Sequence, residues 1–277
     1  MPLNTYYDNG YNTRLGVENE DQIFVDWNAA SEAARRDLTC HIGVAYGAAD
    51  RETIDLFPAA NDTGRWLVFI HGGYWRMGTT EMFSFIVPPF VEAGLNVALV
   101  EYDLTPHVTI GTIVEQVRRG IAWLHSNAAS YGNPCEEIII TGHSAGGHLT
   151  AMMFATDWRQ YGMPASAIIG GVSISGLFDL DPISQTSINE DVRLTPGQIA
   201  LYSPSRLKPT LSVPLVLTVG QRESAEFHRQ GELLRGAPGW GAITTAQVDV
   251  AGCHHFNILD VFMNLDSEIW QAADFMR

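Results

Sequence analysis

Apolar residues along this chain fall into short, nearly continuous runs, separated by stretches in which they recur every three or four positions. Arg65-Trp66-Leu67-Val68-Phe69-Ile70, Asn96-Val97-Ala98-Leu99-Val100-Glu101-Tyr102 and Glu137-Ile138-Ile139-Ile140-Thr141 are of the first kind. Runs of this length, rich in β-branched residues and lacking polar alternation, read as strands buried on both faces. Further strands are expected near residues 41–46, 52–57, 167–174, 215–219 and 242–250. Ile113, Val117, Ile121 and Leu124 mark one apolar face of a helix. Residues 145–154 read as another helix, and Ser31–Arg36 as a short one in an otherwise polar and aromatic first 40 residues. Such alternation predicts an α/β fold, a mostly parallel central sheet with helices on both faces. Sheets of that kind place their sites at the C-terminal ends of the strands. There is no internal repeat and no low-complexity linker, so residues 1–277 are read as one domain. A polar stretch at about 177–205 interrupts the alternation, and with residues 1–40 it is expected to form a small cap that sets substrate size.

Two motifs sit at strand ends. Gly142-His143-Ser144-Ala145-Gly146 follows the 137–141 run and precedes a helix. It fits G-x-S-x-G, in which a serine occupies a cramped strand-to-helix turn and the glycines keep Cβ atoms out of it. Ser144 is therefore the candidate nucleophile. His71-Gly72-Gly73 leaves the end of the 65–70 run. Its adjacent glycines let main-chain N–H groups turn toward a ligand, and the N–H of Ala145, the residue after the nucleophile, is the expected partner donor. Gly72, Gly73 and Ala145 are thus the candidate oxyanion hole. A serine nucleophile further needs a histidine base held by a carboxylate, in the chain order Ser, acid, His for this fold. Ser173 and Ser175 have no elbow. His71, His143 and His148 are read as shaping or packing residues, and no metal-ligand spacing occurs.

With His71-Gly72-Gly73-Tyr74-Trp75 the chain resembles the α/β-hydrolase superfamily, in particular its kynurenine formamidase (arylformamidase) branch, which also holds general esterases. The resemblance extends over Tyr46-Gly47, Ile54-Asp55-Leu56-Phe57, Gly176-Leu177-Phe178-Asp179-Leu180 and His255-Phe256. It implies that His255, rather than its neighbour His254, is the base. It also implies an acid shortly after the 214–220 strand, where the loop reads Gln221-Arg222-Glu223-Ser224-Ala225-Glu226-Phe227. Glu223 fits the offset, and Glu226 is expected to be a surface carboxylate opening the next helix. Tyr74 and Trp75 are the candidate substrate-binding aromatics, with Trp75 alternatively a core residue.

Composition narrows the classes. Net charge is −15, from 31 acidic and 16 basic residues, which argues against nucleic acid and anionic membrane surfaces as partners. Cys40, Cys135 and Cys253 are odd in number and scattered, which points to a reducing cytoplasm rather than a disulfide framework. The stretch from Met1 to Asp8 lacks the basic start and apolar core of a signal peptide, and no apolar run approaches the roughly 20 residues that span a bilayer. The expectation is a cofactor-free, metal-free serine hydrolase acting on a small molecule through an acyl-enzyme. N-formyl-L-kynurenine is the substrate the resemblance implies. Small esters or thioesters are the alternative, and a non-catalytic binding protein on the same scaffold is the alternative of another class. A homodimer is compatible with the sequence, which does not define the oligomeric state.

Overall fold

The computed structural model describes residues 3–273 and Phe275. Met1 and Pro2, part of the stretch read above for a leader, lie outside the described residues. Eight strands form one sheet in the order β1-β2-β4-β3-β5-β6-β7-β8. They are β1 (His41–Ala45), β2 (Thr53–Phe57), β3 (Arg65–Ile70), β4 (Asn96–Val100), β5 (Glu137–His143), β6 (Ile168–Ile174), β7 (Leu215–Gly220) and β8 (Thr244–Val250). β2 runs antiparallel to β1 and β4, and every other pairing is parallel. This is the α/β-hydrolase sheet.

The continuous apolar runs have a direct cause. In β3, Trp66, Val68 and Ile70 enter the core on one face, while Leu67 and Phe69 enter a second core on the other. β5 does the same with Ile138 and Ile140 against Ile139. With both faces covered there is no polar side, so alternation disappears. On the first face lie α4 (Ile110–Asn127) and α5 (Ala145–Phe154). α4 buries Ile113, Val117, Ile121 and Leu124, the stripe seen in sequence, together with Ile110 and Val114. On the second face lie α2 (Glu20–Asp37) and α3 (Val87–Glu92), joined by the helix Ile258–Met263.

Two boundaries differ from the sequence reading. The short helix expected at Ser31–Arg36 is α2, 18 residues long. Only Trp27, Ser31 and Ala34 of it are buried, a stripe too narrow to reveal its full length. The last strand begins at Thr244, because Trp240–Ile243 closes a helical turn that buries Trp240 and Ile243.

α5 is the pivot of the layer. All ten of its residues are buried, and its first turn presses on the end of β3. A Cβ on Gly146 would stand 1.9 Å from the Ile70 carbonyl oxygen and 2.8 Å from that of His71. Those are main-chain atoms of a central strand, which cannot swing aside. Gly146→Ala is therefore expected to destabilise the fold by about 3 kcal/mol, at the upper end of overpacking costs. That corresponds to a drop in Tm of roughly 6–12 °C for a chain of this size. A thermal melt within about 2 °C of wild type would show that α5 is not clamped against β3.

Candidate active site

Ser144 stands between β5 and α5 with φ 58° and ψ −115°, a conformation non-glycine residues avoid. The sheet holds it there: its N–H donates to the Ile174 carbonyl at the end of β6 (2.8 Å), and its own carbonyl accepts from the His148 N–H. The turn lifts the hydroxyl above the C-terminal edge of the sheet, and Ser144 lines a cavity of about 640 Å³.

His255 lines the same cavity. Its Nδ1 lies 2.6 Å from Glu223 Oε2. The other Glu223 oxygen accepts from Ser175 Oγ (2.5 Å) and from the Gly220 N–H (2.8 Å). Burial alone would push this carboxyl up. The adjacent His255 and the donated hydrogen bonds outweigh it and hold Glu223 below the usual carboxylate range. With Glu223 ionised, His255 Nδ1 must donate, which leaves Nε2 free to accept a proton. The loops carrying the two residues are stitched together, the Arg222 N–H donating to the Cys253 carbonyl (2.8 Å). His254 does something else: its Nδ1 accepts from the Phe256 and Asn257 N–H groups at the start of the following helix.

The His-Gly-Gly loop packs directly on the serine. A Cβ on Gly72 would come 3.1 Å from Ser144 Cβ and 2.8 Å from the His143 carbonyl oxygen. The Gly72 carbonyl points at His71 Nδ1, 2.8 Å away. In a trans peptide the N–H lies opposite the C=O, so the Gly73 N–H faces away from His71. His71 is itself anchored, Nε2 to Glu101 Oε1 at 3.0 Å. Arg51 and the Thr80 N–H hold the Glu101 carboxylate in turn. Ala145 heads α5, and the first N–H groups of a helix have no partner within it.

The cavity has a roof that is remote in sequence. α1 (Thr5–Gly10) and the residues after it supply Asp8, Tyr11 and Arg14, and the 177–205 stretch supplies Ser187 and Ile188. The two segments are tied to each other: the Asn4 N–H donates to the Gln185 carbonyl, and Asp8 Oδ1 accepts from both the N–H and Oγ of Ser187. Phe24, Trp27, Phe83 and Phe256 add aromatic walls.

Several residues stand elsewhere than expected. Trp75, a candidate substrate contact, has no exposed surface and lies in the core, donating its indole N–H to His148 Nδ1 (3.3 Å). Three consecutive residues with positive φ, Gly73, Tyr74 and Trp75, turn it inward. Tyr74 does line the cavity, and its hydroxyl donates to the Tyr11 carbonyl at 2.5 Å. Glu226 is buried, not a surface carboxylate. It pairs with Arg229 (2.7 Å) and accepts from the Tyr11 hydroxyl (2.9 Å), so it anchors the roof. Ser175, dismissed as a nucleophile, orients Glu223. Nothing local in the sequence marks Ser175, Tyr11 or Asp8 for these places.

An α/β-hydrolase sheet with a serine on a strained elbow, a carboxylate–histidine pair and a glycine loop against the serine defines a hydrolase of the serine type. A family model described as BD-FAE matches residues 54–191. A kynurenine formamidase of Salmo salar is 32% identical over 87% of this chain and 83% of its own length, and one of Danio rerio is 32% identical over 84% and 80%. The chain belongs to the kynurenine formamidase family. A candidate thioesterase from Silicibacter sp. superposes with a TM-score of 0.85 at 28% identity, covering 98% of both chains. Esterase B of Lactobacillus, at 16% identity and a TM-score of 0.71, shares the fold.

His148 yields a pH prediction. Its Nδ1 accepts from Trp75 and its Nε2 donates to the Tyr202 carbonyl (2.7 Å), so a second ring proton has no acceptor. Burial pushes its pKa down to about 4, and burial pushes His143 down as well. Between about pH 6.5 and 4 the unfolded chain binds protons that the folded state refuses, so stability is full above 6.5 and falls as pH drops. Urea midpoints should show a loss for His148 alone on the order of 2–3 kcal/mol at pH 4. His148→Gln, which retains a donor for Tyr202, should show a shallower fall. Parallel pH profiles for the two proteins would refute a neutral, buried His148.

Proposed function

We propose that this hydrolase cleaves N-formyl-L-kynurenine to kynurenine and formate. The observation that carries the proposal is the convergence of Ser144 and the Glu223–His255 pair on one cavity with aromatic walls, in a chain whose relatives of matching length are named kynurenine formamidase. His255 Nε2 takes the Ser144 proton, and Ser144 Oγ attacks the formyl carbon. The N–H groups of Gly73 and Ala145, with the Gly72 backbone beside them, receive the negative oxygen, at roughly 3–4 kcal/mol of barrier per donor. Glu223 keeps His255 in the accepting tautomer and offsets its charge once protonated. His255 then protonates the departing aniline nitrogen, and water releases formate from Ser144 by the reverse route. The aromatic walls suit a flat aryl amide.

Hydrolysis of short esters or thioesters is the second reading, favoured by the likeness to the candidate thioesterase along the whole chain. Both readings use the same residues, so substrate choice has to be measured. Ser144→Ala should abolish fluorophosphonate labelling and turnover while the protein melts as wild type. Glu223→Gln should lower kcat by about 10³–10⁴, the scale seen when a triad acid is neutralised. Tyr74→Ala should cost roughly tenfold to thirtyfold in kcat/KM on N-formylkynurenine, and less on p-nitrophenyl acetate, which does not reach that wall. Wild-type enzyme that hydrolyses p-nitrophenyl acetate or short acyl thioesters and ignores N-formylkynurenine would decide for the second reading.

A further inference from the structure

His143 comes immediately before Ser144, and both are buried. Its Nε2 lies 2.8 Å from the His255 carbonyl oxygen. A carbonyl only accepts, so Nε2 carries the ring proton and donates, and Nδ1 is left as an acceptor. That Nδ1 is buried and has no hydrogen-bond partner among the described residues. Burial keeps the ring neutral, its pKa well below the usual histidine value. The ring touches what lies on either side of the serine. It stands 4.6 Å from the His255 ring, centroid to centroid, and a Cβ on Gly72 would come 3.3 Å from its Nδ1. A ring that only filled this space would be more stable if it were apolar, because a buried acceptor without a donor is costly. What an apolar ring of the same size lacks is the donor at Nε2.

The loop after β8 has other ties. The Arg222 N–H donates to the Cys253 carbonyl, and Asn257 Oδ1 accepts from the His254 N–H at 2.7 Å. These hold the chain just before His255, whereas the His143 bond falls on His255 itself. The His255 side chain is fixed at Nδ1 by Glu223, 2.6 Å away. One anchor leaves a ring free to pivot, and a second on the backbone of the same residue fixes where Nε2 points. We propose that His143 is a positioning residue for the reaction at Ser144. It ties the main chain of His255 to the elbow, so that serine and histidine keep one separation although they stand on loops 112 residues apart. It touches neither substrate nor reacting atoms. This rests on the reading of Ser144 as nucleophile and His255 as base, and adds to it the device that sets their spacing.

The rate at which a fluorophosphonate labels Ser144 reads the base directly and does not depend on which substrate is the natural one. His143→Phe keeps a ring and removes the donor. It should slow labelling about tenfold to a hundredfold, the scale of a lost buried hydrogen bond and a displaced base. His143→Gln, whose amide nitrogen stands as many bonds from Cα as Nε2 does, should recover most of the rate. His143→Asn, one bond shorter, should not. With whichever substrate the wild type turns over, the fall should appear in kcat with KM little changed. Rates are taken per folded molecule, measured by circular dichroism. Ile121→Val removes a methyl group from the buried stripe of α4, and should lower Tm while labelling stays at the wild-type rate, so lost stability is not scored as lost positioning. Labelling of folded His143→Phe within twofold of wild type overturns the proposal, as does His143→Gln no faster than His143→Phe. If His143→Phe does not fold, the ratio of the Gln to the Asn variant decides, and a ratio near one refutes. Labelling that persists in Ser144→Ala would overturn the reading of the site, and the proposal with it. That result is distinct from a Ser144 adduct formed at an unchanged rate in His143→Phe, which would overturn the positioning role alone.

Discussion

Everything in the site is measured from the strained turn at Ser144. A serine at φ 58° is unfavourable by itself, and persists because the surrounding structure over-determines it. The Ile174 carbonyl holds its N–H, α5 is buried along its whole length behind it, and Gly146 sits against the β3 carbonyls with no room for a methyl group. The same contact places the Gly72 backbone within van der Waals reach of the serine. Ser144 and the His71-Gly72-Gly73 loop are thus one packing unit.

Around that unit the electrostatics run in one direction. Glu223 is buried yet held ionised by donors from Ser175, Gly220 and His255. Glu101 repeats the device beneath the His71-Gly72-Gly73 loop, where burial raises it but His71, Arg51 and the Thr80 N–H prevail. His143 and His148 are kept neutral by burial. Among the histidines packed against the elbow, His255 is the one whose Nδ1 faces a carboxylate while its ring reaches the cavity. This division follows from what each ring nitrogen faces, not from the histidine as a residue type.

Two segments remote in sequence line the cavity. Residues at the start of the chain fold back over strand ends formed more than a hundred residues later. Their anchors are specific: Tyr11 to Glu226 and Tyr74, Asp8 to Ser187, and Ser224 Oγ to the Gly10 carbonyl. The segment at the start of the chain is therefore coupled to the helix that follows the Glu223 loop, Ala225–Gly236, and to the His71-Gly72-Gly73 loop through Tyr74.

Much of this was legible in the sequence, and the reason is locality. A strand buried on both faces writes a continuous apolar run, α4 writes a period of three to four, and the elbow and the His71-Gly72-Gly73 loop need glycines where backbones touch; each is a property of a few neighbouring residues. The choices that failed or stayed open are those between neighbours in sequence that part in space. Trp75 and Tyr74 are adjacent, yet the positive-φ turn sends one into the core and the other to the cavity. Glu226 resembles any helix-opening carboxylate until Tyr11, 215 residues away, is brought onto it. Ser175 and Asp8 carry no local mark, because their hydrogen-bond partners are supplied by other elements. Sequence by itself determined the sheet, the elbow and the kind of chemistry. Tertiary structure alone decided which carboxylates are buried, what covers the cavity and which charges line it, since burial and pairing are properties of contacts between distant segments.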